Sequence, residues 1–103
     1  MRITITARHC EVSEALRLRA RRIATRLGQL FPHALDATFV FDAGPRVRTV
    51  EIRLRARRRK LLIAVGKGPD HRTALDRGEA KLRPQVLRSA AARQNARRGR
   101  ARS

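Results

Sequence analysis

The sequence is short of acidic residues, cysteine and aromatic side chains. Its 103 residues include 8 Asp plus Glu, one Cys, three Phe, and no Trp or Tyr. The single cysteine, Cys10, excludes an intramolecular disulfide and a cysteine-rich zinc site, and it fits a reducing compartment. No apolar run approaches the roughly 18 residues that a membrane-spanning helix needs, so no membrane span is predicted. The scarcity of aromatics predicts a thin core and few side chains on which bases could stack.

The length allows only one compact domain, because domains usually contain about 100 to 150 residues. The first residues, Met1–Ala7, alternate between apolar and polar side chains. A signal peptide would instead have a continuous apolar core at this point. A cytoplasmic location is therefore expected.

Positive charge is what the sequence has in excess. It contains 26 Lys plus Arg, of which 23 are Arg, and its formal net charge is +18 at pH 7. This excess is larger than solubility requires and indicates a polyanionic partner such as nucleic acid, with an anionic membrane surface as the weaker alternative. A compositional bias accounts equally well for Arg in place of Lys, but it does not account for the shortage of acids.

Hydrophobic periodicity predicts four strands and a first helix. Arg2–Arg8 alternates with period two, as expected for a half-buried strand. Ser13 to about Phe31 has its apolar residues at spacings of three and four, after a Ser that suits an N-cap. Ala37–Phe41, Val50–Leu54 and Leu61–Val65 predict three further strands joined by hairpins.

A second helix is predicted after Asp70, which suits an N-cap, and Pro84 should kink that helix or divide it into two pieces. The predicted fold class is α+β, in the order β-α-β-β-β-α. Its four-stranded sheet carries both helices on one face, and its other face is solvated. The domain is expected over residues 1–91. Residues 92–103 should form a basic tail that is disordered when free.

Residues for catalysis or metal binding are sparse. His9, His33 and His71 do not share the spacing of metal ligands, and few acidic residues accompany them. Cys10 is best explained as a semi-buried side chain, and Ser13 as a helix cap. The sequence therefore predicts no catalytic residues, no metal, no cofactor and no small-molecule substrate.

The predicted RNA-binding residues are outward basic side chains on the two helices, and a basic hairpin tip forms a secondary set. They are Arg17, Arg22 and Arg26 on the first helix, Arg77, Lys81 and Arg88 on the second, and Arg57, Arg58, Arg59 and Lys60 at the tip. Only Glu11 and Glu14 are near enough in sequence to balance the first helix, whereas ordinary solvated faces mix both signs. The scarcity of aromatics favours recognition of RNA shape and phosphates, with a strong dependence on salt.

Two segments at opposite ends of the chain resemble a known family. Met1–His9 with Glu11–Arg17, and Asp70–Asp76 followed by Lys81-Leu82 and Gln85-Val86, are similar to the ribosome hibernation promoting factors. These are also called ribosome-associated inhibitor A or sigma-54 modulation proteins. The similarity covers about residues 1 to 90 and includes the order of the elements.

The resemblance implies a domain shaped like double-stranded RNA-binding domains. It also implies binding to the small ribosomal subunit in the channel used by messenger and transfer RNA, which blocks translation and protects idle ribosomes. Arg17, Arg26, Lys81 and Arg88 match positions that are usually basic in the family and are the expected contacts to ribosomal RNA. The chain resembles a short form, without a C-terminal dimerisation domain, and should be a monomer off the ribosome.

Two alternatives come from other classes of protein. A general RNA-binding or RNA-chaperone module would bind naked RNA and ribosomes with similar affinity. A small interaction protein would instead contact an acidic protein partner. An enzyme is the class that the sequence supports least.

Overall fold

The computed structural model describes residues 1–101, with side chains described for residues 1–92. It contains β1 (Arg2–Arg8), α1 (Glu14–Leu30), β2 (Ala34–Ala43), β3 (Arg48–Ala56), β4 (Lys60–Gly68) and α2 (His71–Ala101). The predicted α+β class and the β-α-β-β-β-α order are confirmed. Almost all side chains of the predicted basic tail, residues 92–103, lie outside the described range, so the tail stays a prediction.

The sheet is mixed and keeps the strands in sequence order, β1-β2-β3-β4. β1 and β2 are parallel because α1 carries the chain back between them, whereas two hairpins make β2, β3 and β4 antiparallel. In the β2–β3 register Phe39 lies opposite Ile52, and in the β3–β4 register Leu54 lies opposite Leu62. Inward residues of neighbouring strands thus share one face of the sheet.

The core lies between that inward face and the two helices. Phe39 and Phe41 of β2 are fully buried, and Phe31 at the end of α1 is 3% exposed. All three aromatics are therefore used in the core, and each contributes about 2 to 3 kcal/mol through burial. α1 contributes Ile23 and Leu27 to the same cluster. α2 contributes Leu75, Leu82 and Val86.

Both predicted helix caps are present. The Ser13 hydroxyl accepts a hydrogen bond from the Leu16 amide at 3.2 Å, and the Asp70 carboxylate accepts one from the Thr73 amide at 2.7 Å. Hydrogen bonds from the Thr73 backbone and side chain hold the pKa of Asp70 below its usual value. Each cap satisfies an amide that the first turn of a helix leaves unpaired, so both helix starts are fixed by local sequence.

Pro84 does not divide the second helix, so the alternative of two helical pieces is wrong. α2 is one helix that contains Pro84. The residue is exposed, which places the missing amide donor on the solvent side of the helix. Water can bond the freed carbonyl there, so the helix continues without an unsatisfied buried group.

α2 lies unusually close to β4 because two glycines meet where the elements cross. A Cβ atom on Gly66 would collide with the Ala74 carbonyl oxygen and with the backbone of Gly78. A Cβ on Gly78 would lie 3.2 Å from Ile52 Cδ1. This close approach brings the flank of α2 within reach of the free edge of β4. Within the described residues, neither helix is long and apolar enough to cross a bilayer.

Candidate nucleic-acid interface

The predicted basic residues of α1 lie on different flanks of that helix. Arg22 is exposed and lines a groove of about 520 Å³ between the N-terminal halves of the two helices, together with Arg72. Arg17 is half-buried, and its Nε atom lies 4.0 Å from a Glu14 carboxylate oxygen. Because that pair is long and Glu14 is almost fully exposed, the charge of Arg17 stays available to a ligand.

Acidic residues of α2 neutralise the flank of α1 that faces it. Arg19 donates two hydrogen bonds to Asp76, at 2.9 and 3.1 Å, and Arg26 donates two to Glu79 at the same distances. The hydrogen bond to Asp76 is the main cause that raises the pKa of Arg19. The expectation that only Glu11 and Glu14 could balance α1 is therefore wrong. An ion-paired seam divides the predicted cationic surface, and Arg26 lies in this seam.

Two of the predicted α2 residues bond the edge of the sheet. Arg77 donates to the Lys67 carbonyl at 2.8 Å, and Lys81 donates to the Val65 carbonyl at 3.1 Å. Gln85 continues the series by donating to the Ile63 carbonyl at 3.0 Å. These side chains, spaced four residues apart on the helix, cover alternate carbonyls that would otherwise be open to pairing with another strand.

Arg77 and Lys81 keep a position at the surface despite these bonds. Both residues are exposed, and each retains N–H donors that the strand carbonyl does not occupy. A phosphate at the edge of β4 could therefore share them. Sequence reasoning missed Gln85, although its spacing of four residues from Lys81 was the available signal.

The basic quartet forms the tip of the β3–β4 hairpin, as predicted. Ala56 pairs with Lys60, which leaves a three-residue loop between them. Arg58 and Arg59 have φ angles of 64° and 60°, in the left-handed region that costs a residue with a side chain about 1 to 2 kcal/mol. The whole quartet is exposed. The loop thus keeps arginine at two positions where Asn or Gly would be less strained.

The structure brings Arg88 to this tip. Arg88 and Lys60 line a shallow groove of about 330 Å³ at the C-terminal side of the described part of α2. Arg88 is exposed and, among the described side chains, takes part in no ion pair. It belongs spatially with the hairpin tip and not with the basic residues of α1.

On the solvated face of the sheet, the two arginines of β3 are paired with acids. Arg55 is bidentate to Asp36, which raises the pKa of Arg55, and Arg53 lies 3.3 Å from Glu51. Three outward side chains of β4, Leu61, Ile63 and Val65, are instead aliphatic, and Leu61 is 48% exposed. Arg2 and Arg8 of β1 and Lys67 of β4 are exposed at the margins of this face and, among the described side chains, form no ion pair.

Two of the histidines, His9 and His71, and the cysteine occupy structural positions at one end of the sheet. His71 donates to the Asp42 carbonyl at 2.9 Å, and Cys10 lies 3.5 Å from the Phe41 carbonyl oxygen. His9 bonds the Asp42 carboxylate at 3.2 Å, and this bond is the main cause that lowers the pKa of Asp42. Across the part of the chain with described side chains, no three His, Cys, Asp or Glu side chains are placed to hold a metal ion.

The fold and its exposed side chains define a small basic α+β binding domain. Comparison with known families gives a more specific result: the profile described as sigma 54 modulation protein / S30EA ribosomal protein matches residues 3–94. The chain therefore belongs to this family of ribosome-associated modulation proteins, which are binding factors and not enzymes. The family resemblance found in the sequence is confirmed.

Two solved structures are similar to the chain. One is the N-terminal domain of Protein Y from Thermus thermophilus, with 25% identity, a TM-score of 0.76, and coverage of 85% of this chain and 98% of that one. The other is a ribosomal subunit interface protein from Coxiella burnetii, with 18% identity, a TM-score of 0.74, and coverage of 88% and 99%. At that identity, the second similarity shows the fold alone. No curated protein matches the sequence significantly.

Proposed function

We propose that the protein is a ribosome-binding translation inhibitor that occupies the messenger and transfer RNA channel of the small ribosomal subunit. One observation carries the RNA contacts: six of the eight acids have close partners within the protein, whereas many cations have no acidic partner. Asp36, Asp76 and Glu79 form bidentate or close ion pairs with arginines, and Asp70 caps a helix. Among residues 1–92, most of the excess positive charge is therefore carried by exposed Arg and Lys side chains that lack acidic partners.

The proposed contacts to ribosomal RNA are the ten basic residues that the sequence predicted. Arg17 and Arg22 supply phosphate contacts from α1. Arg26 supplies one from the ion-paired seam, through the guanidinium N–H groups that are not bonded to Glu79. Arg77 and Lys81 act at the edge of β4. Arg88 acts beside the hairpin tip, Arg57–Lys60. Arginine suits this role because its planar fork can donate two parallel hydrogen bonds to one phosphate.

Inhibition in this proposal is steric and needs no chemical step. The domain fills space that messenger RNA and transfer RNA would occupy, and it holds its place through phosphates instead of base edges. Phosphate contacts release condensed counterions, so affinity should fall steeply as salt rises. The protein acts in the cytoplasm, as a monomer off the ribosome.

Co-sedimentation with purified subunits tests the proposal. We expect saturable binding of about one copy to the small subunit, reduced by excess transfer RNA and messenger RNA, and at most weak binding to the large subunit. Similar, unsaturable binding to both subunits and to naked RNA would contradict it. That result would favour the general RNA-binding module.

A further inference from the structure

The two edges of the sheet differ in how their backbone groups are covered. At β4, side chains of α2 bond the carbonyls of Ile63, Val65 and Lys67. At β1, among the described residues, no side chain bonds a backbone group of the strand, and no backbone bond reaches it from outside the sheet. Alternate residues of an edge strand leave their N–H and C=O groups without a partner strand. β1 therefore offers a row of open hydrogen-bonding groups along its outer side.

The inward side of β1 is also less covered than the inward side of its neighbour. Ile3 and Ile5 are half-buried and Ala7 is exposed, whereas Phe39 and Phe41 of β2 are fully buried. Ile3 and Ile5 pack against the core but keep part of their surface in solvent. A strand added to β1 would place its own inward side chains beside these residues and remove that apolar surface from water.

A groove of about 460 Å³ extends this apolar surface at the start of β1. Met1 and Ile3 line it on the side of the strand, and Thr25 and Gly28 line it on the side of α1. No side chain that lines this groove is charged. Because a charged group is costly to bury without a partner, the groove suits an aliphatic side chain better than a phosphate.

Two arginines bracket the open edge on the outward face of the sheet. Arg2 and Arg8 are exposed and, among the described side chains, form no ion pair. Their neighbours in the β2 register, Asp36 and Asp42, are paired with other cations. Six residues of extended strand separate the two arginines by about 20 Å. An added strand with an acidic residue near each end would therefore meet both charges.

These features favour an acidic peptide over the other possible occupants. Two copies of β1 paired about a two-fold axis would place Arg2 of one copy beside Arg8 of the other, and like charges in that position are destabilising. The net charge of +18 also opposes self-association. An RNA backbone presents phosphate oxygens, which are acceptors only and cannot bond the carbonyls of the strand.

We propose that the open edge of β1 binds an extended acidic segment of a partner protein by strand addition. An aliphatic side chain of the segment lies in the groove beside Ile3, and carboxylates near its two ends pair with Arg2 and Arg8. Main-chain hydrogen bonds supply affinity in this mode of recognition, and the alternate side chains supply specificity. The same arginines repel a basic strand.

The inference goes beyond the proposed function and does not rest on it. β1 and β4 are at opposite edges of the sheet, so an added strand leaves Arg77 and Lys81 open to RNA. One chain can therefore hold an acidic protein segment and RNA on different surfaces.

The test titrates the full chain into a dye-labelled peptide of seven residues and follows fluorescence anisotropy. The peptide has Asp at both ends, Val at its second, fourth and sixth positions, and Thr between them, so it reads the same in both directions and suits parallel or antiparallel addition. Two control peptides carry N-methyl groups on the Val residues or on the Thr residues. Only alternate N–H groups of an added strand face β1, so one methylated peptide should bind at least about tenfold more weakly and the other within about threefold of the parent.

Two protein variants locate the site. Arg2→Gln/Arg8→Gln should weaken binding of the peptide about three- to tenfold, because it removes both ion pairs. Arg21→Gln/Arg22→Gln removes the same charge from exposed positions on α1 and should change binding less than about twofold. In the wild type, saturation with the peptide should slow hydrogen exchange at the edge-facing amides of β1 at least about tenfold.

Four outcomes would overturn the strand-addition site. They are equal weakening by the two methylated peptides, equal loss in the two arginine variants, protection of the β1 amides by an RNA duplex and not by the peptide, and no binding at about 1 mM peptide. Co-sedimentation with the small subunit is measured separately. A failure of peptide binding therefore leaves the proposed function standing, and a failure of subunit binding leaves the edge of β1 testable.

Discussion

Reversing the charge of Arg17 and Arg22 should weaken binding to the small subunit about 50- to 100-fold. Both residues lie on α1 outside the ion-paired seam. Glu has nearly the same helix propensity as Arg, so Arg17→Glu/Arg22→Glu should fold normally. The long contact between Arg17 and Glu14 is exposed, and its loss should change the free energy of unfolding by no more than about 0.5 kcal/mol.

The magnitude follows from counterion release. Each phosphate contact contributes about 0.7 to 0.9 to the slope of log K against log salt. At about 0.1 M salt that slope corresponds to roughly five- to eightfold in affinity per contact, or about 25- to 60-fold for two contacts. Repulsion between the new carboxylates and the phosphates adds to this. The expected total is about 2.5 kcal/mol of binding free energy.

Equilibrium titration against the small subunit, at several salt concentrations between about 0.05 and 0.2 M, measures both the loss and the slope. Arg2→Glu/Arg46→Glu is the matched control, because it changes the net charge equally at exposed positions outside the predicted contacts. Screening should limit the effect of the control to a few-fold. Equal losses in the two variants would contradict a specific site on α1, since bulk charge would then determine affinity.

Glycine packing, the Asp70 helix cap and the C-terminal residues each give a separate prediction. Gly66→Ala should lower the free energy of unfolding by about 2 kcal/mol or more in denaturant titrations, because the new Cβ collides with α2. Gly28→Ala is the control: its Cβ meets only the flexible end of the Met1 side chain at 3.1 Å, so it should be neutral or stabilising by up to about 1 kcal/mol. Similar losses of stability in the two variants would contradict the close packing of β4 on α2. The lowered pKa of Asp70 means that its contribution to stability is complete above its unfolded pKa of about 3.9 and is lost as pH falls through the folded value. Asp70→Asn should therefore flatten the acid side of the Tm profile below about pH 4, and an unchanged slope would show that the cap carries no such linkage. Deleting residues 93–103 should lower affinity for the small subunit without moving the binding site, and a relocated site in chemical footprinting would show that the tail selects it.

Local sequence was enough to predict the elements of the fold. The alternation in β1, the periodic apolar stripe of α1 and the two caps at Ser13 and Asp70 each depend on neighbours within one element. Once the order of elements was known, short connections and the crossover helix fixed the sheet topology. The ribosomal context came from the family resemblance, because hydrophobic periodicity indicates helices and strands but not a binding partner.

The interactions that were missed all join distant parts of the chain. The pair Arg26–Glu79 spans 53 residues, and it exists only because Gly66 and Gly78 set where α2 lies. The bonds from α2 to the edge of β4 depend on the same crossing. Sequence places a basic residue on a helix flank, but packing decides whether that flank meets an acid, a strand carbonyl or solvent.

Mapping the binding site on the small subunit tests whether the domain occludes the RNA channel. Chemical footprinting of the ribosomal RNA, or an electron cryo-microscopy map of the complex, would locate the domain. Protection is expected within the channel for messenger RNA and transfer RNA, with α1 facing RNA phosphates, and it should be lost in Arg17→Glu/Arg22→Glu. Protection at a site that leaves the channel open would contradict steric occlusion.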